Sequence, residues 1–171
     1  MATDRYRLFF ALFPPPSVRT ALAEIQRRLG ARARAVPPRQ FHVTLAFLGS
    51  VPRVDVPGLC ALAGRTPFAK VTLRFDRIGW FPRAGVGWVG VGEAPAPLRA
   101  FRESLNEALR LAGFRAESRS WQPHVTLYRK MRTPFAKLRI DPIDWSVESF
   151  ALVASETRPE GVRYRVLERW E

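Results

Sequence analysis

Arg5–Phe13 (RYRLFFALF) is an apolar and aromatic run closed by Pro14-Pro15-Pro16, the pattern of a buried strand. Proline suits the first turn of a helix. Val18, Ala21, Leu22, Ile25 and Leu29 then recur at helical spacing until Gly30 stops them. A basic, proline-containing loop from Arg32 to Gln40 leads to a second strand, Phe41–Leu48 (FHVTLAFL). The same order returns later in the chain. Val86–Val91 is a strand, Pro95 and Pro97 start a helix, and Leu98, Phe101, Leu105, Leu109 and Ala112 form its apolar stripe, stopped by Gly113. A polar loop then precedes Pro123–Arg129 (PHVTLYR). His42 lies twelve residues beyond Gly30, and His124 eleven beyond Gly113. The chain is therefore internally duplicated: strand, proline start, helix, glycine stop, loop, His-Val-Thr-Leu.

Between the halves, Val54–Gly64 reads as a short helix. Lys70–Phe75 alternates as a strand that pairs, through a turn near Pro82–Gly85, with the Val86 strand. Val147–Val153 and Tyr164–Trp170 read as hairpin strands around Arg158-Pro159-Glu160-Gly161. These elements predict an α+β fold of two pseudo-symmetric lobes of antiparallel sheet, with helices packed outside and a central cleft carrying the two motifs. No glycine- or serine-rich linker separates the lobes, so residues 1–171 are expected to form one domain.

Composition narrows the function. Hydrophobic residues at 47% and charged residues at 25% are ordinary for a globular protein. No apolar run reaches the roughly 20 residues of a membrane span, so no membrane partner is expected. The amino-terminal segment lacks a cleavage signature and reads as a strand instead of a signal peptide. One cysteine, Cys60, excludes an internal disulfide and suits a reducing compartment, so a cytoplasmic, monomeric protein is expected. The net charge of +13 favours a polyanionic partner. Lysine supplies only three of the 28 basic residues, and arginine's planar fork suits phosphate. Abundant Ala, Pro and Gly show that a GC-rich coding sequence would also favour arginine, but would not set the net excess.

The chemistry sits in the repeated tetrapeptide. The chain has two histidines, and both stand in His-Val-Thr-Leu. Strand residues two apart share a face, so His42 with Thr44, and His124 with Thr126, form paired polar teeth about 7 Å apart, while the Val and Leu residues anchor the strand. An imidazole with an ordinary pKa near 6.5 can take or give a proton near neutrality, and a threonine hydroxyl can donate to a phosphate oxygen. A lone strand histidine is ordinarily a surface or core residue, and threonine is a good strand former. Matching placement of both histidines in a duplicated unit outweighs that. Two histidines without a cysteine or third histidine fall short of a transition-metal ligand set, so neither metal nor cofactor is expected.

His-x-Thr twice in one chain, the first copy within Phe41-His42-Val43-Thr44-Leu45-Ala46-Phe47-Leu48-Gly49, resembles the 2H phosphoesterase superfamily. Within it the chain is similar to the bacterial and archaeal RNA 2′,3′-cyclic phosphodiesterases, once called 2′-5′ RNA ligases. Arg7-Leu8-Phe9-Phe10-Ala11, Pro123 to Leu127 with Arg129, and Tyr164 to Trp170 extend the likeness along nearly the whole chain. The resemblance implies an RNA or nucleotide substrate whose 2′,3′-cyclic phosphate opens to a 2′-phosphate. It also implies His42 as proton donor, His124 as acceptor, and Arg129 near the phosphate. The near-identical motifs themselves do not rank the two histidines, and Tyr128 and Lys130 depart from the family's commoner residues. On strand parity Arg129 points away from His124 unless a bend or bulge intervenes. Phe10 and Phe47 are candidates for base stacking, although parity turns Phe47 away from His42 and favours a core role. Trp80, Trp88 and Trp121 are assigned to core or cleft wall, and Cys60 to a buried, unreactive place. Two alternatives remain at this level. One is 2′-5′ RNA ligation at the same site, for which no nucleotide-activating lysine motif or P-loop is present. The other is a non-catalytic RNA-binding module, for which paired histidines would be an odd choice.

Overall fold

The computed structural model describes residues 4–117 and 120–171. The first three residues of the amino-terminal segment, and positions 118 and 119 of the loop after Gly113, lie outside the described residues. In chain order come strand β1 (Arg5–Leu12), helix α1 (Pro16–Leu29), a two-residue strand β2 (Arg34–Ala35) inside the basic loop, and β3 (Val43–Pro52). Helix α2 (Val56–Gly64) and strand β4 (Val71–Phe81) lead to the second unit: β5 (Val86–Val91), α3 (Ala96–Leu111) and β6 (His124–Arg129). The chain ends in β7 (Ile143–Val147), β8 (Phe150–Arg158) and β9 (Gly161–Trp170). Gly30 and Gly113 stop their helices at φ of 49° and 81°, left-handed values that cost glycine least. No helix of the described residues is long and apolar enough to cross a membrane.

The nine strands of the described residues form one antiparallel sheet in the order β7-β4-β5-β6-β3-β1-β8-β9, with β2 beside β6. At its centre β3 meets β6 through one pairing, Val43 with Val125, the second residues of the two tetrapeptides. From there the halves correspond strand for strand: β1 matches β5, β8 matches β4, and β9 matches β7. The apolar stripes of α1 (Val18, Leu22, Ile25) and α3 (Leu98, Phe101, Leu105, Leu109) bury against one sheet face, where Leu8, Phe10, Leu12, Val43, Leu45, Val125 and Leu127 wait. The other face carries a smaller cluster of Phe9, Ala11, Ala151 and Val153 beneath Phe13, Phe47 and Tyr164. Strand β1 is thus buried on both faces, which explains its unbroken apolar sequence.

One expectation is corrected by this topology. Val147–Val153 is not a single strand. β7 ends at Val147 and pairs with β4, whereas β8 begins at Phe150 and pairs with β1. At Glu148-Ser149 the chain crosses from one half of the sheet to the other. β4 also runs further than Phe75, to Phe81, before its turn into β5. Cys60 is half-buried, not fully covered.

Each inner strand holds an extra residue at the same place, and β3 has a second irregularity further on, at Leu48. Against β1, the register of β3 steps from Ala46 to Thr44 and skips Leu45. Against β5, the register of β6 steps from Tyr128 to Thr126 and skips Leu127. Such a bulge removes a residue from the ladder, and both leucines are buried, so their carbonyls need other donors. The donors come crosswise. Arg102 Nε on α3, in the second unit, donates to the Leu45 carbonyl of the first at 2.9 Å. Gln26 Nε2 on α1, in the first unit, donates to the Leu127 carbonyl of the second at 2.7 Å and to Val36 at 2.9 Å. Gln26 and Arg102 are the non-aromatic polar side chains buried among the described residues, each 8% exposed. Around them, the Val36 N–H donates to Leu127 at 2.8 Å, Tyr128 Oη–H donates to the Gln26 carbonyl at 2.7 Å, and the Arg102 guanidinium lies 5.0 Å from the Trp121 ring centre.

With apolar bulk kept, losing Arg102 takes the side-chain donor from the Leu45 carbonyl, and losing Gln26 takes the side-chain donors from the Val36 and Leu127 carbonyls, leaving Leu127 the Val36 N–H; each loss is about 1–3 kcal/mol. Arg102→Met and Gln26→Leu are each expected to lower the unfolding free energy, read from the urea midpoint and slope, by an amount in that range. The exposed neighbour substitution Arg99→Met should cost less than about 0.5 kcal/mol. Equal midpoints for all three variants would contradict the crossed clamp.

Candidate active site

The single Val43–Val125 pairing sets the geometry of the cleft. In antiparallel register about that pair, His42 stands across from Thr126, and Thr44 across from His124. The valines point into the core, fully buried, while the two histidines and two threonines remain half-buried on the opposite face. The sheet therefore assembles four polar teeth in a diagonal square, two imidazoles and two hydroxyls.

Both imidazoles are held in the same way. His42 Nδ1 lies 2.7 Å from the Gln40 carbonyl and His124 Nδ1 2.8 Å from the Gln122 carbonyl. A carbonyl only accepts, so each Nδ1 carries its proton and each Nε2 is left to exchange a proton with a ligand. Aromatic rings then wall each histidine. Phe9, Phe13 and Tyr164 surround His42 at centroid distances of 5.1, 5.8 and 5.2 Å. Phe81 and Trp88 flank His124 at 5.1 and 6.1 Å. Trp88 fits there because residue 79 is glycine: a Cβ at Gly79 would collide with the indole.

Burial within these walls makes protonation costly. It pushes His42 down from its ordinary value to about 4, against the help of the Gln40 carbonyl, and the Arg129 and His124 charges push the same way. Burial also lowers His124, again with Arg129 contributing and the Gln122 carbonyl opposing. Arg129 thus bears electrostatically on both histidines. It reaches Tyr164 too, whose phenol burial pushes up and Arg129 pulls down. In the protein alone both histidines are neutral at pH 7, and an arriving anion would raise their proton affinity.

The bulges decide which flanking residues join the cleft. One step beyond Leu45 and Leu127 the alternation is reset, so the residue five past each histidine returns to the histidine's face. Those residues are Phe47 and Arg129, and both line the hollow beside His42 together with Thr44, Arg7 and Tyr164. The parity argument that turned them away is therefore corrected at both sites, for the same reason. Phe10 is corrected in the opposite sense. It is fully buried on the helix side against Phe150 and Trp170, at 6.3 and 6.1 Å, so no base can reach it, and its neighbour Phe9 faces the cleft. Trp88 is a cleft wall, and Trp121 fastens the first motif by donating from Nε1 to the Thr44 carbonyl at 3.0 Å. Tyr164, Phe9, Phe13 and Phe81 were not singled out by sequence. The only available signal was the repeat Gln-x-His-Val-Thr-Leu at Gln40 and Gln122, which marks the holding carbonyls but not the walls. Among the described residues no group of three or more His, Cys, Asp or Glu side chains stands together as a metal site.

Comparison with known proteins agrees with this architecture. A family model described as the 2′-5′ RNA ligase superfamily matches residues 14–159. An RNA 2′,3′-cyclic phosphodiesterase of Thermus thermophilus is 37% identical over 96% of this chain and 89% of its own length. One of Escherichia coli is 32% identical over 98% and 97%. The crystal structure of E. coli LigT complexed with 3′-AMP superposes with a TM-score of 0.87 at 30% identity, covering 98% of each chain.

With two histidines in the chain, their Hε1 ring protons give two titrating resonances, one for each. His42 is expected to titrate near pH 4 and His124 below 6.5. Because the folded pKa values lie below the unfolded value of about 6.5, the unfolded chain takes up protons first. Stability should then be fully present above about pH 6.5 and fall as pH drops toward 4. A histidine resonance titrating at or above 6.5 in the folded protein would contradict the buried placement.

Proposed function

The chain belongs to the 2′-5′ RNA ligase superfamily, and from that membership we propose that it hydrolyses the 2′,3′-cyclic phosphate at an RNA end to a 2′-phosphate, without a metal or other cofactor. The observation that carries this reading is the diagonal square of His42, Thr44, His124 and Thr126 about the Val43–Val125 pairing. Naming of both curated relatives as RNA 2′,3′-cyclic phosphodiesterases supports the substrate class.

In this mechanism Thr44 and Thr126 donate to the two non-bridging phosphate oxygens, and Arg129 offsets their charge. The anion raises the proton affinity of the imidazoles. His124 Nε2 takes a proton from water as its oxygen attacks phosphorus. Protonated His42 gives its Nε2 proton to the departing O3′ as the P–O3′ bond breaks. One water is consumed, and a 2′-phosphate and a 3′-hydroxyl result. Cleft asymmetry supports the assignment of acid and base. The leaving oxygen belongs to the ribose, so the acid must stand on the side that admits a nucleoside. A hollow of about 490 Å³ opens beside His42, a size suited to a small ligand, whereas His124 is walled by Phe81 and Trp88. Phe47 beside that hollow is suited to stack on the terminal base. The name of the matching family favours a second reading, 2′-5′ ligation by reversal of the same steps, but abundant water drives the hydrolytic direction.

The test is turnover of an RNA oligonucleotide ending in a 2′,3′-cyclic phosphate. His42→Ala and His124→Ala should each lower kcat by about 10²–10⁴-fold. Thr44→Val and Thr126→Val delete a hydroxyl donor to a charged acceptor and should lower kcat/KM by about 1.5–3 kcal/mol in transition-state stabilisation. EDTA should change none of these values. A histidine variant retaining near-native kcat would end the paired acid–base reading, and a 5′-hydroxyl RNA joined in preference to hydrolysis would favour ligation.

A further inference from the structure

The cleft is electrostatically one-sided. The hollow beside His42 runs into a second of about 380 Å³. The two share Arg39, Gln40, Glu160 and Tyr164. Arg7, Arg34 and Arg129 line the inner one, and Arg158 and Arg163 the outer. Of these six arginines only Arg158 is in an ion pair among the described residues, with Glu156 at 2.8 Å. Glu160 is the one carboxylate along the way. The channel is a built feature of the fold. Its floor is the β8–β9 hairpin, tied to the turn before β3 by Gln40 Nε2, which donates to the Val162 carbonyl at 2.6 Å. Across the cleft, the rings beside His124, Phe81 and Trp88, line neither hollow.

Five guanidinium groups left without carboxylates, in one continuous channel, are a poor arrangement for stability and a good one for a polyanion, since each presents a planar fork matched to phosphate. A mononucleotide with one phosphate, held at the four teeth, would leave the outer arginines unused. Resting on the function proposed above, we propose that this channel is the path of the RNA strand on the 5′ side of the cyclic end. Arg34 receives the first upstream phosphate, and Arg39 and Arg163 those beyond it. The substrate class is therefore a single-stranded RNA of several nucleotides, and the enzyme prefers it to a free cyclic nucleotide through contacts made away from the reacting phosphorus.

The experiment compares cytidine 2′,3′-cyclic phosphate with a six-nucleotide RNA bearing the same end, over a salt series. It uses the native chain, Arg39→Gln/Arg163→Gln, and the charge-matched control Arg99→Gln/Arg110→Gln on the exposed face of α3. In the channel variant the oligonucleotide-to-mononucleotide ratio of kcat/KM should fall about tenfold. Its salt slope for the oligonucleotide should flatten by about 1.4, the loss of two single-strand phosphate contacts. The control should lose less than half as much of either. Equal flattening in both variants would make the attraction a property of net charge and overturn the channel. So would an unchanged ratio in the channel variant, or equal native preference for the two substrates. Hydrolysis of neither substrate by the native protein would instead overturn the phosphodiesterase reading itself.

Discussion

The cleft hangs on one backbone pairing, Val43 with Val125, where the two copies of a duplicated unit touch. That contact alone joins β3 to β6, and so it alone determines that each histidine faces the other motif's threonine. A one-residue slip would turn one motif's imidazole and hydroxyl into the core and its valine and leucine into the cleft. Such a slip would bury two polar side chains and expose two apolar ones, so hydrophobic patterning and chemistry enforce the same register. The bulges at Leu45 and Leu127 then bring to the cleft face the residue five past each histidine, which a regular strand would turn away.

The price of those bulges is two buried carbonyls, and the crossed donors Arg102 and Gln26 satisfy them. Each helix thereby holds the motif-bearing strand of the other unit, so the halves of the sheet cannot shift independently without breaking a buried hydrogen bond. Pseudo-symmetry ends at that level. Phe47 and Arg129 occupy equivalent places, yet one is an aromatic ring and the other a cation. One flank of the cleft opens into an arginine-lined channel and the other closes on Phe81 and Trp88. Duplication supplied two like imidazoles, and divergence around them gives the two unlike surroundings on which the proposed division into acid and base rests.

Much of this was legible in the sequence because it follows from spacing. The repeated strand–helix–strand unit, the glycine stops at Gly30 and Gly113, and the paired His-x-Thr faces all appear as periodicities, and the fold bears them out. What was not legible depends on breaks in periodicity or on distant pairing. A bulge leaves no mark in Leu-Ala-Phe or Leu-Tyr-Arg, so simple alternation put Phe47 and Arg129 on the wrong face. Phe9 and Phe10 are chemically alike, and only the sheet tells which one meets His42. Tyr164 reaches the site from β9, over a hundred residues from His42 in the chain, and Val147–Val153 conceals a crossing that only the polar pair Glu148-Ser149 marks.

The central claim is that the paired imidazoles open the cyclic phosphate at the P–O3′ bond, so that the phosphate remains on O2′. The most direct measurement is the identity of the phosphomonoester formed from an RNA ending in a 2′,3′-cyclic phosphate, read by phosphorus NMR against authentic 2′- and 3′-phosphate standards. The account predicts the 2′-phosphate alone. A 3′-phosphate product would put O2′ against the acid and contradict it.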